Sequence, residues 1–156
     1  MSRVSGADAS QILEVLARYA QVIDNRDWAY ADLVFAPDVR LGRAPVLSAG
    51  VGQLRALIGD APATHGHNTT DVILDARPDG TVRAWSKFYI VRGDGTVGSG
   101  DYQDTLVRTP AGWRIADRDA SRGNRLGSDP TGGASTRTFS FASWLDGTDS
   151  DQRAED

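Results

Sequence analysis

The spacing of apolar residues changes once along the chain, near residue 67, and this change limits the folds that the chain can adopt. Upstream, apolar residues follow the three-four spacing of amphipathic helices. Downstream, to about residue 118, they alternate with polar residues as in half-buried strands. Short turns that contain Gly, Pro and Asp separate these strands, which favours antiparallel hairpins. Helices followed by a meander predict an α+β fold, with the helices packed on one face of a curved sheet.

Three helices are predicted ahead of the sheet. The first runs to about Asn25 and could be capped by Asp8 or Ser10, the second covers 28–35, and the third covers 51–58. The residues predicted to face inward on the last two are Trp28, Leu33, Phe35, Leu54, Leu57 and Ile58. Ser48 is the expected cap of the third helix. A short strand is predicted at 39–41, and four longer ones at 67–75, 81–91, 98–108 and 113–118.

The length of 156 residues suggests one domain, which we place at residues 1–126. Residues 127–156 form a tail rich in Gly, Ser and Thr with six acids and two arginines, hence a charge of −4. An apolar cluster at 139–145 interrupts this tail, and we expect it to dock over a pocket mouth or on a second subunit.

Composition and missing motifs exclude several function classes. The tail carries the whole net charge of −4, and no basic stripe stands out, which argues against nucleic acid and anionic membranes as partners. No segment reads as a signal peptide or a membrane span, so we expect a soluble, cytoplasmic protein. The absence of cysteine excludes disulfides and cysteine nucleophiles. No phosphate loop or Gly-x-Ser-x-Gly elbow is present, so no cofactor is predicted.

Both histidines, His65 and His67, lie where the loop turns into the first long strand. An imidazole titrates near neutrality, so it can take a proton from carbon next to a carbonyl. Asp24 lies at the edge of the apolar arc near the end of the first helix, and a carboxylate bonded to one imidazole nitrogen fixes the tautomer. Alternatively, Asp24 only ends the helix and His67 only begins a strand. A His-x-His pair can bind metal, but no further ligand is evident and no metal site is predicted.

Other polar side chains are candidates for substrate binding. Tyr19 could donate a hydrogen bond to a substrate oxygen, or it could be a core tyrosine on the apolar stripe. Lys87 could hold an anionic oxygen if its face of the strand lines the cavity; otherwise it is a solvated lysine. Tyr102 and Asp104 share one face of their strand, so one or both could line the pocket. Arg122 and Asn124 follow the last strand and could orient a substrate at the pocket rim, and His65 could contact it from the loop.

Three segments carry a resemblance to a known family. They are Ile12–Tyr19 followed by Asp24, His67 ahead of 71–75, and 100–108 continuing into 112–115. In these segments the chain resembles the SnoaL-like family of the nuclear-transport-factor-two-like superfamily. The resemblance implies a cone-shaped α+β barrel, with three N-terminal helices on the concave face of a mostly antiparallel sheet. By similarity to scytalone-dehydratase-like and bile-acid-dehydratase-like members, it also implies a catalytic set of Tyr19, Asp24 and His67. Asn68 stands where relatives often have a second histidine.

The resemblance further implies a cofactor-independent lyase or isomerase acting on a small apolar carbonyl compound, polyketide-like or steroid-like. Dehydration is preferred over isomerisation or cyclisation, because a histidine can take a proton from carbon and return it to the leaving hydroxyl. Two other interpretations stay open: a non-catalytic ligand-binding scaffold of the same fold, and the small subunit of a ring-hydroxylating oxygenase. The fold also leads us to expect a homodimer or a higher homo-oligomer.

Overall fold

The computed structural model describes residues 1–43, 46–60, 65–126 and 140–147. Helix α1 (Gly6–Asn25) buries the predicted apolar stripe, which includes Ile12, Leu16 and Ile23. Its N-cap is Ser5, whose hydroxyl accepts the Asp8 backbone N–H at 3.1 Å. The predicted caps Asp8 and Ser10 are therefore wrong, because the helix begins earlier, where Ser5 still has an extended backbone.

Six strands form one sheet: β1 (Phe35–Arg43), β2 (Val46–Ala49), β3 (His65–Ala76), β4 (Val82–Arg92), β5 (Val97–Thr109) and β6 (Gly112–Leu126). Their order is β2-β1-β6-β5-β4-β3. Of the pairings between these described strands, β1 with β6 is parallel and the others are antiparallel. Helix α1 packs against β3 and β6 on the inner face of the curved sheet. The predicted α+β fold is confirmed.

The hairpins that join β3 to β4 and β4 to β5 repeat one Asp-Gly-Thr turn. In the first, the Asp79 carboxylate accepts the backbone N–H and the hydroxyl of Thr81 at 2.9 and 2.7 Å. Asp94 does the same for Thr96 in the second turn, at the same two distances. The glycine of each turn has a positive φ, which a residue without Cβ adopts readily. These local bonds explain why the hairpins could be predicted.

The region between α1 and β3 differs most from the prediction. A 3-10 helix (Trp28–Leu33) ends two residues early, because Pro37 disfavours helical backbone at the residue before it and β1 already begins at Phe35. Leu33 is consequently 38% exposed, not inward.

The third predicted helix is confirmed as α2 (Gly50–Ile58). Ala49 occupies its N-cap position, and the predicted cap Ser48 belongs to β2, which was not predicted. Leu54 is buried, but Leu57 is 61% exposed, because α2 packs mainly against β1 and β2 and buries one narrow face.

The outer face of the sheet is covered by the short helix α3 (Phe141–Asp146). Trp144 is 1% exposed, lies 5.8 Å from the Trp85 ring, and carries the Arg83 guanidinium 4.2 Å above its own ring. The part of the apolar cluster at 141–145 thus docks on β4 of its own chain, on the side away from α1. Phe139 lies outside the described residues. No helix in the described part of the chain is long and apolar enough to cross a membrane.

Candidate active site

A pocket with a volume of about 250 Å³ lies between α1 and the inner face of the sheet. Its walls mix apolar side chains with a histidine, two tyrosines and two arginines. The lining residues are Tyr19, Leu41, Gly42, His67, Phe88, Ile90, Arg92, Gly98, Ser99, Tyr102, Arg118 and Ala120. This volume lies just below the range of pockets for drug-sized ligands, so the pocket suits a small molecule.

Asp24 and His67 meet at the wall of this pocket. Asp24 Oδ1 lies 2.5 Å from His67 Nδ1, and Asp24 Oδ2 accepts the His67 backbone N–H at 2.8 Å. The carboxylate therefore holds both the backbone and the ring of His67. A carboxylate bonded to Nδ1 favours the tautomer with the proton on Nδ1. Proton exchange with a bound molecule then falls to Nε2.

Two non-glycine residues with positive φ help to place this pair. Arg26, at φ 60°, ends α1 in the left-handed region, two residues after Asp24. Asp71, at φ 53°, lies within a bulge of β3 between Thr70 and Ile73. Without the bulge His67 and Leu74, an odd number of residues apart, would face opposite sides of the sheet. The extra residue lets both face α1, since they pair with the inner residues Ile90 and Ala84.

A buried ion pair forms the floor of the pocket. Arg118 Nε and Nη2 donate to the two oxygens of Asp104 at 2.6 and 2.8 Å, and both side chains are at most 1% exposed. The guanidinium lies between two aromatic rings, 3.9 Å from the Tyr19 centroid and 4.0 Å from the Tyr102 centroid. Stacking and ion pairing together fix its plane.

Electrostatics of the floor favour a charged Arg118 guanidinium beside a neutral Tyr102 phenol. Burial alone would lower the pKa of Arg118, but the Asp104 carboxylate outweighs it and holds that pKa above its ordinary value. Burial raises the pKa of Tyr102 well above its usual value; neighbouring Tyr19 adds to the rise and Arg118 opposes it. Arg118 Nη1 is buried without a hydrogen-bond partner among the described residues. Arg118 lines the pocket, and a buried donor without a partner is a group that an added acceptor would satisfy.

The structure brings four of the predicted site residues together. Tyr19, His67 and Tyr102 line the pocket, and Asp24 contacts His67 from behind. The Tyr19 ring lies 5.9 Å from the His67 ring and 5.8 Å from the Tyr102 ring, edge-on to both. The catalytic roles of these residues remain a prediction.

The assignment of Lys87 to the pocket is wrong. Its neighbours Phe88 and Ile90 face the pocket, so Lys87 points to the outer face by strand alternation. There its ammonium group contacts the Asp101 carboxylate and lies 4.9 Å from the Trp85 ring centroid. Three further assignments, His65, Arg122 and Asn124, have backbones in β3 and β6, but their side chains lie outside the described part of the chain.

Sequence reasoning missed Arg92 and Arg118 as pocket residues. In the sequence, Arg118 is one of three consecutive charged residues, 117–119, at the end of the last predicted strand. Asp104 alternates with Tyr102 on one face of its strand, and a buried acid on a pocket face implies a basic partner. That was the available signal for Arg118. Among the described residues, no three side chains of the metal-binding types converge on a common point.

Comparison with known proteins agrees with the fold. A family model described as a SnoaL-like domain matches residues 5–119. No protein of curated function matches the chain significantly. The chain is similar in structure to a protein with a cystatin-like fold from Nostoc punctiforme, described as of unknown function. The identity is 20%, the alignment covers 83% of this chain and 99% of the other, and the TM-score is 0.67.

Two further solved structures have the same architecture. Rv3472 of Mycobacterium tuberculosis, described as of unknown function, is 27% identical over 83% of this chain and 84% of its own, with a TM-score of 0.67. A candidate scytalone dehydratase from Novosphingobium aromaticivorans is 17% identical over 74% of this chain and 84% of its own, with a TM-score of 0.66. Such low identity to the dehydratase shows a shared fold only.

Proposed function

The chain belongs to the SnoaL-like family of the nuclear-transport-factor-two-like superfamily, and from this premise we propose that it is a cofactor-independent lyase or isomerase. Its substrate would be a small ring compound, polyketide-like or steroid-like, with a carbonyl group. The observation that carries the proposal is the hydrogen bond between Asp24 and His67 at the wall of the pocket. Such a pair supplies a general base that works near neutral pH.

The proposed reaction starts with His67. Nε2 takes a proton from the carbon next to the carbonyl, and Asp24 stabilises the imidazolium through Nδ1–H. The electron pair moves onto the carbonyl oxygen, and Tyr19 together with Arg118 Nη1 would donate hydrogen bonds to the enolate that forms.

Dehydration is the preferred outcome. If the substrate has a hydroxyl group on the β-carbon, the imidazolium gives its proton to that hydroxyl. The carbon–oxygen bond breaks and the products are an enone and water. No oxidant or cofactor is required by this sequence.

Two observations favour an enzyme over a non-catalytic scaffold of the same fold. A ligand-binding scaffold would not need contact between Asp24 and His67, and a purely structural one would not need an accessible cavity, yet the two side chains are 2.5 Å apart. Of the three aromatic residues that could have filled the cavity, Trp85, Phe88 and Trp113, only Phe88 is among the described lining residues, and a volume of about 250 Å³ stays open.

A bicyclic β-hydroxyketone tests the proposal directly. A β-hydroxytetralone that loses water aromatises to a naphthol, whose fluorescence reports the rate, and deuterium uptake by α-tetralone in heavy water reports proton abstraction alone. We expect His67→Gln and Asp24→Asn each to lower the rates roughly a hundredfold or more, the usual contribution of general acid–base catalysis.

Lys87→Gln is the matched control, because it removes a charge from the same sheet on the face away from the pocket. It should leave both rates unchanged. If wild-type protein accelerates neither reaction, or if both dyad variants keep near-wild-type rates, the proposed mechanism is wrong.

A further inference from the structure

The described lining of the pocket contains two arginines and no acidic residue. Arg92 and Arg118 are among the lining residues, whereas no Asp or Glu is among those that the structure describes. Two acids of the described residues lie behind the pocket wall and are engaged there: Asp24 by His67 and Asp104 by Arg118. A bound molecule therefore meets cationic donors at the surface of the cavity.

The sheet register orders these groups from floor to rim. The β5 residues Tyr102, Gly100 and Gly98 pair in turn with Ser86, Phe88 and Ile90 of β4. His67 pairs with Ile90, and Arg92 lies two residues further, next to the exposed turn at 93–95. Arg118 is 1% exposed at the floor, while Arg92 is partly exposed at the rim. His67 lies between these two arginines.

Gly98 leaves the space over the pocket that the Arg92 guanidinium occupies. Arg92 and Ile90 share a face of β4, and Gly98 presents its missing side chain on the same face. A Cβ at position 98 would lie only 2.7 Å from Arg92 Nη2 and 3.1 Å from Nη1. The guanidinium thus fills the place of that side chain.

No carboxylate in the described part of the chain forms an ion pair with Arg92. The Asp94 carboxylate on the adjoining turn lies close enough for charge attraction, but its Oδ1 accepts both hydrogen bonds from Thr96. A guanidinium presents paired N–H groups that match the two oxygens of a carboxylate.

We infer that the pocket takes an organic acid: a small ring compound whose carboxylate binds Arg92 at the rim while its carbonyl oxygen lies near Arg118 at the floor. The placing of the reacting carbon beside His67 rests on the proposed function. The preference for an acid does not, because it concerns binding alone.

Calorimetric titration with paired ligands tests this inference. The probes are benzoate, cinnamate and naphthoate, each compared with its own methyl ester, which keeps the ring but lacks the charge. At least one acid should bind about tenfold tighter than its ester, and the difference should shrink with added salt. Arg92→Gln should abolish the difference.

Two further variants sharpen the result. Gly98→Ala keeps Arg92 but displaces its guanidinium, so it should reduce the preference for the acid. Arg55→Gln removes an exposed arginine on α2, outside the pocket, and should leave the preference intact. Thermal unfolding of each variant checks that it is folded.

The inference is overturned if no acid is preferred over its ester up to the solubility limit, or if Arg92→Gln retains the preference. His67→Gln separates the two proposals, because it should abolish turnover while the preference for the acid persists. Turnover of the neutral β-hydroxytetralone without any acid preference would support the proposed function and refute this inference.

Discussion

The buried pair of Arg118 and Asp104 yields the sharpest prediction about stability. Arg118→Met removes the cation and leaves the Asp104 carboxylate buried, at most 1% exposed, without its two donors. Breaking a buried ion pair by removing one partner costs roughly 3–5 kcal/mol, mostly because the remaining charge is uncompensated. Asp104→Leu should cost a similar amount for the converse reason.

The double variant, Asp104→Leu with Arg118→Met, should be more stable than either single variant. It leaves no unpaired charge, and replacing a buried pair by apolar side chains is often nearly neutral. The double variant should still be less stable than wild type, because it loses the stacking of Arg118 on the Tyr19 and Tyr102 rings, whose centroids lie about 4 Å away. A double-mutant cycle therefore predicts strong coupling between the two positions.

Urea unfolding followed by tryptophan fluorescence and circular dichroism measures each corner of the cycle. A loss of 3–5 kcal/mol corresponds to a fall in the unfolding midpoint temperature of roughly 6–20 °C for a chain of this size. The control is Arg55→Met at the pair with Asp60, which has the same two-bond geometry, at 2.7 and 3.1 Å, on side chains 54% and 64% exposed. That variant should not differ measurably from wild type. Additive losses at Arg118 and Asp104 would refute the reasoning.

Three other predictions concern the dyad, the N-terminal anchor and the tail. Asp24→Asn keeps at most one of the two hydrogen bonds to His67, so nitrogen NMR should show loss of the Nδ1–H tautomer. A His65→Gln protein serves to assign the signals of His67. Unchanged signals would contradict the dyad. Burial opposes ionisation of Asp75, but hydrogen bonds from Ser2, Arg83 and Arg77 outweigh it and lower its pKa. The stabilisation that ionised Asp75 provides should be complete above about pH 4, and it should be lost as the pH falls through the lowered pKa. Asp75→Asn should therefore be less stable than wild type near neutral pH and should lose less stability on acidification. Urea midpoints at neutral pH and at acidic pH would show both effects. Trp144→Ala should detach α3 from β4, seen as faster hydrogen exchange at 141–146, while ligand binding in the pocket stays unchanged because α3 lies on the opposite face.

Much of the candidate site followed from local patterns. The helical period placed Asp24 at the edge of the apolar arc, and the switch to the strand period placed His67 at the start of β3. Such patterns depend on neighbours a few residues away, and the turn chemistry of Asp79 and Asp94 is equally local. The resemblance to the family then joined Asp24, His67 and Tyr19 into one site.

The face on which a strand residue points was harder to predict. Alternation divided β4 into two sets, one with Lys87 and Trp85 and the other with Phe88 and Ala84. Both sets contain large apolar surface, because α1 covers one face and α3 covers the other. Sequence alone could not say which set faces the pocket, and the prediction for Lys87 failed for that reason.

By itself, then, the sequence determined the elements whose hydrogen bonds are local: α1, the hairpins and the alternation of each strand. Only the tertiary structure decided the register between them. Counting pairs from the turn between β5 and β6 would place Asp117 opposite Asp104, but Ala116 is an extra residue in β6 and brings Arg118 there instead. One inserted residue moves every later side chain to the other face. The cation at the pocket floor therefore depends on a bulge that is stabilised by long-range packing, which local patterns do not encode.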